Sequence, residues 1–503
     1  MSSTPTQQAP HPLSEALARH AKTFGPKLAE AAYSRGLAVT QKDGTTKPIP
    51  TTATPVVVPL AELRRRVRLS AAIASASVKM ARAVTAGPAR ELLLGCMAPL
   101  ERSVVETTAP HTKRFAICRT DFFVNDRPWA LELNATIPAM PGYSDIAANA
   151  FIDTVGRLGG LGQDEIARLT GQNGSNAIAL YRALRDGYAL ERSGRLPERI
   201  ALLTRRGDSQ LTELGYLAAR FAELGTEADV VFPDQLSGTD ALEANGKRYD
   251  LVYRHLFVRR LEETPSDYVL DFLKRTPDPR AVLLNPPAAH VETKTNFALL
   301  SQASAESDLA VAAELNEEEL EAVRTAVPWT RPLRHYPGLS PDGERLADMA
   351  EYVAAHPDRF VLKRAWEYGG KAVFVGRARK EQGFEDRVRA TYGRPHTWRE
   401  LVLRAADDLV GGGFIAQEVV LTALEPHLVL VGDKQVATDM YVDFSAYASV
   451  GLTEQPSWGG VCRGSPSQIV NIVGGGGVLP LLTKEVADRL LEGIQERFGG
   501  SRT

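Results

Sequence analysis

The sequence predicts a chain of mixed class, α/β in its middle and α+β in its last third, behind a helical N-terminal region. Three observations carry that prediction. Residues 199–233, RIALLTRRGDSQLTELGYLAARFAELGTEADVVFP, read as strand, turn, helix and strand, the repeating unit of a parallel sheet. From residue 359 onward, apolar runs of strand length alternate with glycine-containing loops before one amphipathic final helix, TKEVADRLLEGIQERF. At 503 residues and 44% hydrophobic composition, the chain has material for several domains and a sizeable core.

Taken in order, the polar start MSSTPTQQAPHPLSEALARH lacks the basic-then-apolar order of a secretory signal. A helical pattern from Leu13 to about Gly36 follows, then the Thr/Pro-rich connector GTTKPIPTTATP and an Ala-rich helix from Pro59 to about Val84. The basic run ELRRRVRL within that helix reads as a solvated face. With 59 basic and 61 acidic residues, a formal net charge of −2 gives no general nucleic-acid signature. No apolar run reaches the roughly 18 residues a membrane helix needs. Cys96, Cys118 and Cys462 stand far apart without CxxC spacing, which points to a reduced cytoplasmic protein without structural zinc. YDLVYRHLFV and AVLLNPP add strands to the α/β segment, and AELNEEELEAV reads as an acidic, solvated helix.

RTDFFVNDRPWALELN, residues 119–134, reads as a β-hairpin. With Asp126-Arg127 at the tip, Asp121 faces Glu132 and Arg119 faces Asn134, all on one side of the ladder. Thr120, Phe122 and Val124 then face Trp129, Leu131 and Leu133 on the packing side. Two like charges directly opposed cost up to about 1 kcal/mol. A divalent cation would compensate, since Mg²⁺ takes carboxylate and amide oxygens, so Asp121, Glu132 and Asn134 are the candidate metal ligands.

Three further stretches can do chemistry. Lys363 ends an apolar strand, and Gly369, Gly370 and Lys371 follow in a loop that can close over a polyphosphate, with glycine N–H groups near oxygens and lysine charge opposite them. The ordinary alternative is a surface lysine whose stem lies on apolar neighbours. In FIAQEVV, Gln417, Glu418, Val419 and Val420 can offer backbone to an adenine edge, or simply form an edge strand. VCRGSPSQIVNIVGGGG places Arg463 and Asn471 on adjacent strands before four glycines, a set suited to phosphate and metal oxygens, or to a flexible surface loop. No GK[ST] follows those glycines, no GxGxxG marks a dinucleotide site, and no HExxH or Ser/His/Asp set is evident.

Together these pieces resemble the ATP-grasp ligases. RTDF…ALELNATIPAMPGYSDIA is similar to their Arg-x-Asp…Glu-x-Asn signature, FVLKRAWEYGGKAVFVG to their lysine strand and glycine loop, FIAQEVV to their adenine hinge, and CRGSPSQIVNIVGGGG to the Arg…Asn…Gly-Gly stretch before the last helix. Ordinary members carry the Asp…Glu-x-Asn pair last, whereas here it comes first. The order therefore resembles the circularly permuted ATP-grasp family related to glutathionylspermidine synthase-like proteins. The resemblance spans residues 111–500 and implies a helical region (1–110), the permuted metal-binding part (111–195), a Rossmann-like pre-ATP-grasp domain (196–330) and the nucleotide lobes (331–503). One departure lies on MYVDFSAYASVG, where several relatives have Asp-x-Arg and this chain has Asp443 and Ser445. Arg331 is a candidate for a nucleotide contact.

The resemblance implies ATP and one or two Mg²⁺ ions, with Mn²⁺ a possible substitute. Phosphates would lie under Gly369 and Gly370 near Lys363 and Lys371, adenine against Gln417 to Val420, with Asn471 also on the cofactor, and metal on Asp121, Glu132 and Asn134. Arg119 and Arg463 would be catalytic, stabilising charge as a carboxylate becomes an acylphosphate and an amine or thiol displaces phosphate. Small-molecule carboxylate and amine partners follow, with no nucleic acid or membrane and homo-oligomerisation left open. The alternatives are an ATP-binding scaffold without ligation and a phosphotransferase.

Overall fold

The computed structural model describes residues 10–498 except Thr276, Tyr368, Gln382, Gly432, Asp433, Asn471, Val473, Gly474 and Gly475. The N-terminal pattern resolves into helices α1 (Pro12–Ala18) and α2 (Ala21–Ser34). The connector is not merely a linker. It contains short strands, among them β1 (Thr51–Thr52), whose β-branched residues pair with a strand far downstream. The Ala-rich stretch forms α3 (Leu60–Ala86), and α4 (Pro99–Thr108) follows with proline at its first position, where no N–H is needed. The basic run is only partly solvated: Arg64, Arg65 and Arg68 are exposed, but Arg66 is buried over the Phe444 ring and paired with Glu62.

The hairpin is β2 (Phe115–Val124) and β3 (Pro128–Asn134), in the predicted register at its open end: Arg119 opposite Asn134 and Asp121 opposite Glu132. Nearer the tip the pairing slips by one residue, because a bulge beside Asp121 and Phe122 is matched by a three-residue turn, Asn125 to Arg127. Leu131, expected on the packing side, is thereby turned onto the same side as Asp121 and Phe123. Helices α5 (Pro141–Leu158) and α6 (Asn176–Glu191) come next.

The α/β segment folds as predicted. Strand β4 (Arg199–Thr204), helix α7 (Leu211–Glu223) and strands β5 (Glu227–Val231), β6 (Leu251–His255) and β7 (Val282–Leu284) build a wholly parallel sheet of order β7-β6-β4-β5. Helix α8 (Lys294–Ala303) leaves it, capped by the Thr293 hydroxyl. The acidic helix Glu317–Ala326 is solvated on one face only: Ala322, Val323 and Ala326 are buried in the core, and Glu319 is buried against Ser75 and Lys79.

A four-stranded antiparallel sheet follows: β8 (Thr330–Pro332), β9 (Phe360–Arg364), β10 (Val373–Val375) and β11 (Phe414–Glu418), in the order β8-β11-β9-β10. It has its own core, including Leu333, Val353, Phe360, Phe374, Trp398 and Phe414. The last strands, β12 (Glu425–Val431), β13 (Lys434–Val450), β14 (Gly460–Ser465) and β15 (Gly477–Leu479), precede α9 (Lys484–Phe498). Strand β13 is long enough to pair with β12 through its first half and with β2 through its second, so the early hairpin completes a seven-stranded sheet made otherwise of late strands and β1. Helices α1, α2, α5, α6 and α9 cover one face of this sheet, and α3 covers the other. No helix among the described residues is long and apolar enough to cross a membrane.

Candidate active site

A cleft of about 130 Å³ lies between the four- and seven-stranded sheets. Its two ends differ in chemistry. At one, Val361, Val373, Val375, Val419 and Ile469 form an apolar cluster. At the other, Asp121, Glu132, Lys294, Lys363, Asp443 and Arg463 converge, with Gly369, Gly370 and Lys371 on the loop between. Strand alternation explains the charged end: Asp121 on β2, Asp443 on β13, Arg463 on β14 and Glu132 on β3 all project from one face.

Asp121 is 2% exposed. Arg119 grips it with two bonds (Nε–Oδ1 2.7 Å, Nη2–Oδ2 3.0 Å), and Arg463 Nη2 and Asn134 Nδ2 donate to Oδ2 at 2.8 and 3.3 Å. Burial alone would raise the Asp121 pKa, but the two guanidinium charges outweigh it and hold the carboxyl well below its ordinary range. Arg463 also pairs with Asp443 through Nε at 3.1 Å and a second bond from Nη2. Burial pushes Asp443 up to about 6 despite that partner. Glu132 is less enclosed; burial raises its pKa, and the charges of Lys294, whose Nζ is 3.3 Å away, and Lys363 bring it below the usual value. The opposed carboxylates thus find their compensation in cationic side chains of this chain, whereas the sequence alone pointed to a metal. Within this cluster three carboxylates (Asp121, Glu132, Asp443) meet four cations (Arg119, Arg463, Lys294, Lys363) at neutral pH, an excess of one positive charge; the other two carboxylates lining the cleft, Glu367 and Glu418, each face an arginine of their own, Arg259 and Arg359.

Lys363 is 8% exposed, and its Nζ donates to Gln417 Oε1 at 2.8 Å and Leu131 O at 3.1 Å. Burial pushes its pKa down to about 8, with Glu132 opposing and Lys294 reinforcing the shift. Gln417 is not on an edge strand: β11 pairs on both sides, so its backbone belongs to the ladder while its side chain braces Lys363 and Thr330. Glu418 turns its carboxylate to Arg359 at 2.9 Å. Val419 and Val420 run past the strand end along the apolar part of the cleft.

The loop after Asn134 is held by two carboxylates, half-buried Glu292 and buried Glu213. Glu292 accepts from Ala135 N and Thr136 N, both at 2.6 Å, and Glu213 accepts from Met140 N and Gly142 N at 3.1 and 2.9 Å. Arg119 Nη1 and Tyr447 Oη both donate to Ala139 O, at 3.0 and 3.1 Å. Arg119 therefore joins this loop to Asp121.

Most of the sequence-predicted residues converge here. Asn471 lies outside the described residues, and the second strand of its predicted pair begins only at Gly477. Arg331 is buried away from the cleft, against Ser301 and Trp329. Lys294 was missed. Its signal was electrostatic: a lysine at the first position of a helix opposes the helix dipole and wants an anion nearby. Its Nζ bonds Glu367 O at 2.7 Å.

For a metal, the oxygens of Glu132 and Asn134, with Asp121 beside them, are hard donors that fit Mg²⁺, which binds through one or two carboxylates and completes its shell with water and phosphate. Among the described residues no cluster of three or more His, Cys, Asp or Glu forms a self-contained metal cage.

No family model and no curated protein matches the chain. Among solved structures, the apo form of a glutathione synthetase-like effector from Globodera pallida is similar over 95% of this chain and 98% of that one, with 12% identity and a TM-score of 0.55. A candidate gamma-glutamylcysteine synthetase from Methylobacillus flagellatus aligns over 75% of this chain and 81% of that one at 12% identity, but its TM-score of 0.36 carries no argument. The first likeness spans nearly the whole of both chains, and at that depth it establishes one thing: this chain has a glutathione synthetase-like fold.

Proposed function

We propose that the chain is an ATP-dependent carboxylate–amine (or thiol) ligase built as a circularly permuted ATP-grasp. The observation that carries the proposal is the two-ended cleft, an apolar slot opening onto a cluster with one surplus positive charge. A nucleotide has the matching polarity, a flat apolar base and an anionic tail. The permuted arrangement is supported by the bond between Asp121 and Arg463, 342 residues apart, which unites the early hairpin with the late strands.

In this reading adenine lies against Val361, Val375, Val419 and Ile469, and the phosphates lie towards Lys363 and Lys294 beneath the Gly369–Gly370 loop. Glu132, Asn134 and Asp121 would hold Mg²⁺, which when bound neutralises phosphate oxygens and polarises the γ-phosphorus. A substrate carboxylate oxygen attacks that phosphorus, the bond to the β-phosphate oxygen breaks, and ADP leaves. An amine nitrogen or thiol sulfur then attacks the acyl carbon, inorganic phosphate departs, and the nucleophile's proton passes to solvent. Arg463 and Arg119, locked in place by Asp121 and Asp443, supply fixed positive charge where negative charge develops. The glutathione synthetase-like fold supports an amino-acid or short peptide substrate.

A second reading, nucleotide binding without ligation, draws on two observations. Both oxygens of Asp121 are committed to guanidinium groups. The cleft of about 130 Å³ is also narrower than the roughly 300–1,000 Å³ typical of ligand pockets. Incubation with ATP, Mg²⁺ and a panel of amino acids and polyamines separates the readings. Ligation gives ADP, phosphate and an amide; phosphotransfer gives ADP without an amide; ATP binding with no ADP for any acceptor overturns the ligase.

A further inference from the structure

The loop that follows Lys363 is not held by its own lobe alone. Ala365 N bonds Gly413 O at 2.8 Å, and Ala365 O accepts from the backbone N of Lys294 at 2.9 Å. Trp366 N bonds Gly411 O at 3.1 Å. The Trp366 indole turns into an apolar pocket of Leu94, Cys96, Met97, Val105 and Ala109 from the N-terminal region, closed by Ala289 and Phe257 of the α/β segment, with the Arg259 guanidinium 5.3 Å over the ring. There Nε1–H donates to Glu101 Oε2 at 2.8 Å. The second loop of the lobe docks on the same pocket: Gly412 has φ +77°, and a Cβ on it would lie 2.5 Å from Cys96 Cβ.

Glu101 needs an explanation. It is 1% exposed, and its other carboxylate oxygen has no hydrogen-bond partner. A buried, half-satisfied carboxylate is costly, and an apolar pair of the same shape would be the more stable choice. Its gain is directional. It satisfies the indole N–H in a dry pocket and so selects one orientation of Trp366. Trp366 stands three residues before Gly369, a stretch that spans at most about 10 Å, so the anchored indole limits how far the Gly369–Gly370 loop lining the cleft can move from that pocket.

We propose that Glu101 is a positioning residue for the nucleotide loop, through which the N-terminal helical region sets the grip on the ATP phosphates. The inference rests on the ligase reading for the identity of the ligand, but not for the loop's dependence on Glu101. The groups that stabilise transfer (Arg119, Asp121, Arg463) belong to the other sheet, so loss of the contact should affect nucleotide binding rather than the chemical step.

The test uses the full chain with Glu101→Leu, Trp366→Phe and, as the conservative variant, Glu101→Gln, whose amide oxygen still accepts from the indole. Two quantities are read: KM for ATP against kcat, and amide hydrogen exchange over residues 369–376. Glu101→Leu and Trp366→Phe should raise KM about tenfold with kcat within about twofold, and should speed exchange in that segment; Glu101→Gln should restore both. Unchanged KM and exchange in the first two variants overturns the proposal. So does a joint fall of kcat and thermal stability that Glu101→Gln fails to rescue, since that marks a merely structural role. If the wild type turns over no ATP, it is the ligase reading that fails, and exchange alone then decides the role of Glu101.

Discussion

Lys363 offers the sharpest test, because the site that needs its charge also penalises it. Burial brings its pKa from 10.5 to about 8. That difference corresponds to about 3 kcal/mol of unfavourable burial of the charged form. The sign follows from proton counts. Below pH 8 the lysine is charged in folded and unfolded chains, and the full penalty stands. Between 8 and 10.5 the unfolded chain holds the extra proton, so stability rises with pH; above that range the penalty is gone. Lys363→Met removes the penalty at pH 7 but forfeits the bonds to Gln417 and Leu131 O, at about 0.5–1.5 kcal/mol each. The variant should therefore be more stable than wild type by about 1 kcal/mol without ligand. Its ATP affinity should fall by about 2–4 kcal/mol, some 30- to 1,000-fold, the attraction expected near 4 Å at an effective dielectric of about 20. Urea unfolding at pH 7 and titration calorimetry with ATP read the two effects. A variant less stable than wild type, or one that binds ATP normally, refutes the reasoning.

Two further outcomes are expected. Glu132→Gln preserves side-chain volume and a contact with Lys294, so it should fold normally, yet turnover should drop at least about a hundredfold through lost metal and charge placement; full activity sinks the metal role. Because the cluster already carries one surplus positive charge, Mg²⁺ alone should bind weakly by calorimetry and far more tightly once ADP is present. Equal affinity with and without nucleotide counts against that charge balance.

Much of the fold was legible because its signals are local. The parallel unit at 199–233 carries its period, its turn and its helix within one stretch, and it folds accordingly. The connector at 44–55 was not legible. Thr51 and Thr52 become a strand only by pairing with Leu430 and Val429, and nothing nearby in sequence announces such a partner. Arg66 was read as solvated for the same reason: the Phe444 ring beneath it is supplied by a distant strand.

The site divides along the same line. Alternation placed Asp121, Glu132, Arg119 and Asn134 on one face, and the register bore that out because the bulge falls beyond Asp121 on the tip side. What alternation could not supply was the other half of the charge balance, since Arg463, Asp443 and Lys294 approach from three different elements. That half changes what the hairpin means. Facing carboxylates in isolation look like a metal site waiting to be filled, and a bare cation would be the natural first ligand. Surrounded by four cations they become a buffered anionic floor, which under the proposed function would hold a metal only when a more negative group comes with it. A polyphosphate is such a group, so under the proposed ligase function the feature that first suggested a metal would form half of a site for a metal–phosphate pair.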